Sequence, residues 1–155
     1  MNCRPLLPDV VPLLAHPMQK IRYWALDSLF WTLPPNGCDL ARAFNLLSDS
    51  EGGIRRKVLD LLFRLSTEQI EAAYLCKQEG VLQSSIRDGL RWLLSPDSLV
   101  PENVEFVLRD PDPILCKFGV VAARLRKIHP EPLLYASTME DPDGREFAAR
   151  ILRAE

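Results

Sequence analysis

Ile21-Arg22-Tyr23-Trp24-Ala25-Leu26-Asp27-Ser28-Leu29-Phe30 returns 33 residues later as Ile54-Arg55-Arg56-Lys57-Val58-Leu59-Asp60-Leu61-Leu62-Phe63. Ile, Arg, Leu, Asp, Leu and Phe coincide, and Ala25 is matched by the apolar Val58. A fixed separation of this size marks stacked supersecondary units, each too small to bury its apolar face alone. Within both blocks the apolar residues recur at helical rather than alternating spacing, so each block predicts an amphipathic helix.

The repeat continues outward from these two copies. A third carries Ile86-Arg87, then Leu90 and Leu94. A fourth, degenerate copy reads Asp110-Pro111-Asp112-Pro113-Ile114, then Phe118, Ala122 and Leu125. A fifth, truncated copy reads Asp141-Pro142-Asp143-Gly144-Arg145, then Ala148 and Leu152. A terminal repeat lacks a neighbour on one side and is expected to diverge. A shorter helical segment precedes each copy, at residues 9–15, 39–47, 67–77, 100–108 and 132–139. Asp39 and Thr67 are the expected caps of two of them, and Pro101 stands where a first-turn proline is tolerated. Leu33-Pro34-Pro35-Asn36-Gly37, Ser95-Pro96-Asp97 and His129-Pro130 are expected to separate the pairs, because proline removes a donor and clashes with the preceding turn. All 13 prolines fit ends, first turns or connections.

The chain has 155 residues, is 47% apolar and 26% charged, and carries a formal net charge of -2. These values fit one soluble domain, residues 1–155, with enough apolar surface to offset the entropy of ordering. A mildly acidic balance argues against a nucleic-acid binder, which generally presents a basic stripe, and suits a basic protein partner. Cys3, Cys38, Cys76 and Cys116 are widely spaced without a CxxC, and read as small apolar residues in a reducing compartment. The first residues are broken by Pro5, Pro8 and Pro12 and lack the apolar run of a signal peptide. No stretch has the apolar length to span a bilayer. The expected location is cytoplasmic, with no membrane contact.

The repeat resembles the HEAT family. In that pattern two antiparallel helices meet at a turn bearing Asp and often Pro, and a β-branched residue and Arg open the second helix. Asp49, Ile54, Arg55, Val58 and Leu62 match it in the second copy, and Ile21, Arg22, Ala25 and Leu29 in the first. Asp141, Pro142, Arg145, Ala148 and Leu152 match in the fifth. The third copy has Glu79-Gly80 in place of the turn Asp, and the fourth has Leu115 in place of Arg. The resemblance implies an all-α fold: an α-solenoid of about five antiparallel helix pairs, wound as a right-handed superhelix. It also implies that Arg22, Arg55, Arg87 and Arg145 pair with turn aspartates as a ladder between repeats, a structural role. The ankyrin and tetratricopeptide signatures are absent.

No catalytic constellation emerges. His16 and His129 are the only histidines and stand far apart, each before a proline. There is no HExxH, nucleophile elbow, P-loop or dinucleotide glycine pattern. The acidic runs Asp110-Pro111-Asp112 and Glu140-Asp141-Pro142-Asp143 lack EF-hand spacing and read as caps of the following helices. No cofactor and no metal is expected, and the protein is not expected to be an enzyme.

In a HEAT stack the second helices line the concave face. Helical periodicity then buries Ile21, Ala25, Leu29 and Leu33, and places Trp24, Asp27, Ser28 and Trp31 on another face. Equivalent positions are Lys57, Asp60, Leu61 and Arg64; Gly89, Trp92 and Leu93; and Lys117, Val120, Val121 and Arg124. The candidate partner-binding stripe is therefore Trp24, Asp27, Trp31, Lys57, Asp60, Arg64, Trp92, Lys117 and Arg124. Trp and Arg are enriched at binding hot spots, although tryptophans also serve as large core residues. The expected function is a protein-binding module, in its sharper form an immunity protein or inhibitor that neutralises a basic toxin or effector. The alternatives are a nucleic-acid binder related in fold to alkylpurine DNA glycosylases and a structural subunit of a larger complex. Phycobilin lyase subunits share the architecture, with no specific residue match.

Overall fold

The computed structural model describes residues 7–31, 36–76, 82–95, 100–125 and 141–154. Leu33, the proline-rich breaks, Glu79-Gly80, His129 and the expected helix at 132–139 lie outside them. Every regular element among the described residues is a helix or a 3₁₀ turn, so the fold is all-α. None of these helices is long and apolar enough to cross a membrane. The sequence reads as one domain; the helices pack as two compact units, Met1–Leu82 and Gln83–Glu155. The division falls inside the third repeat, between its first and second helices, where the turn Asp is missing.

The first unit begins with α1 (Leu7–Val10), which tightens into a 3₁₀ turn, Val11–Ala15. Then come α2 (Gln19–Trp31), α3 (Gly37–Phe44) with a 3₁₀ extension Asn45–Ser48, α4 (Gly52–Arg64) and α5 (Thr67–Tyr74). Ala25, Leu26 and Leu29 form the buried stripe of α2; Ile54, Val58, Leu59, Leu61 and Leu62 form that of α4. Each large aliphatic side chain removed from water contributes roughly 1.5–3 kcal/mol. Ile21, expected in the core, is half-buried at the rim.

Two caps sit earlier than the sequence predicts. Asn36, read as part of a break, caps α3 by accepting from the Asp39 amide at 2.9 Å. Ser66, not Thr67, caps α5: its hydroxyl accepts from Gln69 N, while the Gln69 side chain accepts from Ser66 N. This reciprocal box satisfies two otherwise orphaned donors, which a Thr67 cap with Glu68 beside it would not do.

The recurrent Arg does two jobs in the first unit. Arg22 is bidentate to the Asp49 carboxylate, at 2.8 and 3.0 Å, and also donates to the His16 and Pro17 carbonyls of its own turn. The hydrogen bond and charge of Asp49 outweigh burial and raise its pKa further. Arg55 repeats the second job, donating to the Asp49 and Ser50 carbonyls. Asp49 lies 27 residues after Arg22, in the next turn, so this rung of the expected ladder is present.

Cys38 and Cys76 correct the reading of the cysteines as reduced fillers: they form a disulfide with Cα atoms 5.2 Å apart. The bond removes the cysteine-based argument for a reducing compartment. It forms because α3 packs on α5 so closely that a Cβ at Gly37 would collide with the Ala72 carbonyl.

The second unit holds α6 (Ser84–Leu94), α7 (Pro101–Leu108), α8 (Pro113–Leu125) and α9 (Pro142–Ala154). Pro101 opens α7, as predicted. α6 and α7 both pack on α8. Gly89 admits the Phe118 ring to the α6 backbone, where a Cβ would collide with it. Asp112 accepts from Ile114 N at 2.9 Å and Asp141 from Gly144 N at 3.0 Å, so these acidic turns do cap α8 and α9. The ladder changes chemistry here. Ser85 donates to Asp112 at 2.6 Å, and Lys117 to Asp141. Arg87 and Arg145, expected as rungs, are exposed instead.

Candidate functional site

The outward side of α2 carries Lys20, Tyr23, Trp24 and Asp27, at i, i+3, i+4 and i+7, opposite the buried Ala25, Leu26 and Leu29. A solvated helix face normally carries short polar or charged groups. This one presents Tyr23 at 44% exposure and Trp24 at 48%, with Met18 at 57% just before the helix. Met18 is fixed there, since its amide donates to His16 Nδ1 and its carbonyl receives the Ile21 and Arg22 amides.

A cross-helix ion pair organises this face. Lys57 on α4 reaches Asp27 on α2 at 2.5 Å, and its ammonium stands 5.1 Å from the Tyr23 ring centroid. Burial alone would lower the Lys57 pKa. The hydrogen bond and charge of Asp27, with a further contribution from Tyr23, outweigh it and hold the group above the ordinary lysine value. Lys57 therefore stays charged and orients the tyrosine ring by cation–π attraction. Beside it lies a cavity of about 290 Å³ lined by Gln19, Lys20, Tyr23, Glu51, Gly53 and Ile54. With its nitrogen facing Glu51, the Gln19 amide donates to both carboxylate oxygens, at 2.8 and 3.1 Å. A Cβ at Gly53 would meet nothing within 4 Å, so that edge is open.

The residues of the expected stripe are placed as follows. In the first unit Trp24, Asp27 and Lys57 come together; Asp60 is half-buried and Arg64 exposed on α4. Trp31 occupies the last position of α2, and its side chain lies outside the described residues. In the second unit Trp92 is half-buried. Lys117, read as a surface cation, is only 2% exposed and is enclosed by Asp141 at 3.0 Å and Asp143 at 3.5 Å. Its long stem lets an ammonium reach turn carboxylates from inside the core, so a lysine at this repeat position does not by itself signal a surface. The Arg124 side chain also lies outside the described residues.

Sequence reasoning missed Lys20, Tyr23 and Met18. Extending the helical period backward from Trp24 would have found the first two, because i−4 and i−1 share its face. The arrangement offers aromatic area, one organised ion pair and a shallow mixed-charge recess. Among the described residues no group of three or more His, Cys, Asp or Glu is placed to hold a metal ion. Burial, and then the charge of Asp141, push the Cys116 thiol up to about 11. The geometry suits recognition of another molecule's surface. No family model, curated protein or solved structure matches the chain.

Proposed function

We propose that this chain is a non-catalytic protein-binding module of the HEAT type, its helix pairs stacked as a solenoid. It engages its partner protein through the α2–α4 face of the first unit. One observation carries the reading: Tyr23 and Trp24 stand in solvent beside the Lys57–Asp27 pair. Exposed aromatics next to an ordered charge pair are the composition of an interface hot spot, and solvating them without a partner is unfavourable. The 33-residue repeat and the Arg22–Asp49 rung support the HEAT reading.

In its sharper form the module is an inhibitor, such as an immunity protein, whose weakly acidic chain neutralises a basic toxin or effector. Two of the cations required by a nucleic-acid groove are already engaged, Lys57 with Asp27 and Lys117 with Asp141 and Asp143. The deciding experiment is affinity capture with the wild-type chain and with Trp24→Ala, both checked for identical melting. A protein retained by the wild type and lost with Trp24→Ala is the expected result. Capture of nucleic acid alone, with log affinity falling steeply against log salt, would overturn the reading.

A further inference from the structure

The hold on α5 is unusual within the first unit. Only Ile70 and Ala73 of this eight-residue helix are buried, a small apolar anchor beside the five buried side chains of α4. Among the described elements its main packing partner is α3. Just past its C-terminus, Cys76 is bonded to Cys38 in the first turn of α3. The two halves of the bond differ in access. Cys76 is 7% exposed, whereas Cys38 is half-buried beside the exposed cap Asn36.

We propose that the Cys38–Cys76 disulfide is a redox latch on α5, opened by an external dithiol that enters at Cys38. The close backbone approach of Gly37 to Ala72 positions the two cysteines whether or not the bond is formed. The dithiol state is therefore also folded, with α5 held by its packing on α3, in which Ile70 and Ala73 are its buried anchors. In opening, a reductant thiolate attacks Cys38 Sγ, the Cys38–Cys76 bond breaks, and Cys76 leaves as a thiolate that takes a proton. The reductant's second thiolate then attacks its own sulfur in the mixed disulfide and releases Cys38. Two electrons and two protons pass to the chain, and the reductant becomes a disulfide. A buried sulfur is a poor leaving group, so opening is slow compared with that of an exposed disulfide. Because α2 and α4 are tied by their own apolar stripes and by Lys57–Asp27, the loosening is concentrated in α5.

Two measurements on the full chain test this. In hydrogen exchange, reduction should speed the α5 amides by up to about several hundredfold, the limit set by losing a cross-link of this span. The α4 amides, which lie within the same loop but are held by their own apolar stripe, should be sped far less. Equal acceleration in α4 and α5, or none in α5, overturns the latch. In the second, Cys76→Ser and Cys38→Ser are each incubated with oxidised glutathione without denaturant and read by intact mass and peptide mapping. Cys76→Ser should gain one glutathionyl group at Cys38 several times faster than Cys38→Ser gains one at Cys76. Equal rates, or the reverse order, overturn Cys38 as the entry sulfur. Free thiols at both positions in the wild type after equilibration with oxidised glutathione overturn the disulfide itself.

Discussion

Replacing Lys117 by Met should destabilise the second unit far more than a surface lysine could. The ammonium lies among Asp141 Oδ1 and Oδ2 at 3.1 and 3.0 Å, Asp143 Oδ2 at 3.5 Å and the Pro113 carbonyl at 3.5 Å. All three ionic side chains are less than a tenth exposed. Met preserves most of the stem's packing, so the loss isolates the charge. Removing one partner of a buried ion pair costs about 3–5 kcal/mol, because the remaining charge keeps its desolvation penalty without its counter-charge. At about 4 °C per kcal/mol for a unit of this size, melting followed by far-UV circular dichroism should drop by at least roughly 12 °C. Adding Asp141→Asn and Asp143→Asn to Lys117→Met removes the stranded charges while leaving an acceptor for Gly144 N. That triple variant should recover most of the loss, to within about 2 kcal/mol of wild type. A shift below about 3 °C for Lys117→Met, the size of a surface effect, would refute the reasoning, as would a triple variant no better than the single one.

The other predictions follow the same geometry. Gly89→Ala places a Cβ in the Phe118 ring and should cost about 1–3 kcal/mol by overpacking, read in the same melt; Phe118→Leu in that background should restore part of it. Ser66→Ala removes the capping box of α5 and should cost about 1 kcal/mol in urea unfolding with an unchanged m-value. Cys116 holds its proton to about pH 11 when folded, against 9.0 as the reference value. The folded chain thus binds more protons across that window, and stability should be flat below pH 9 and fall as pH rises through 11. A Cys116→Ala variant should lack that component of the alkaline slope. Lys57→Ala should weaken partner binding through both lost charge and a freed Tyr23, whereas Lys57→Arg should retain most of it; equal loss in the two would point to a direct lysine contact.

The all-α class was legible because helix formation is written locally: apolar spacing in α2 and α4, prolines at ends, and Asp before the second, fourth and fifth copies. The Arg22–Asp49 rung was legible for a related reason, since both residues recur at fixed positions in the repeat. Three features were hidden. The disulfide depends on two helices meeting near Gly37 and Ala72, a tertiary event with no trace in a 38-residue separation that lacks any motif. The caps were misplaced by one to three residues because Asn36, Asp39, Ser66 and Thr67 are all good cap formers, and only the hydrogen-bond geometry chooses among them. The division into two units was hidden because the apolar period runs through the third repeat unbroken.

Lys117 was misread as a surface cation for a deeper reason, and one column of the repeat explains it. Trp24, Lys57, Gly89 and Lys117 occupy equivalent positions, yet the first is nearly half exposed, the second partly covered, and the last two buried. What decides exposure is the neighbour. Gly89 is roofed by the Phe118 ring, and Lys117 is drawn inward by two turn carboxylates; Asp27 instead holds Lys57 at the surface. Residue type inverted the expectation at Lys117, since a charged side chain was taken as proof of solvent when it was proof only of a counter-charge. Trp24 is the opposite case: a residue type expected in a core, left nearly half exposed. Exposure at this column is therefore set by what each neighbour supplies, and Trp24 is the position where it is greatest.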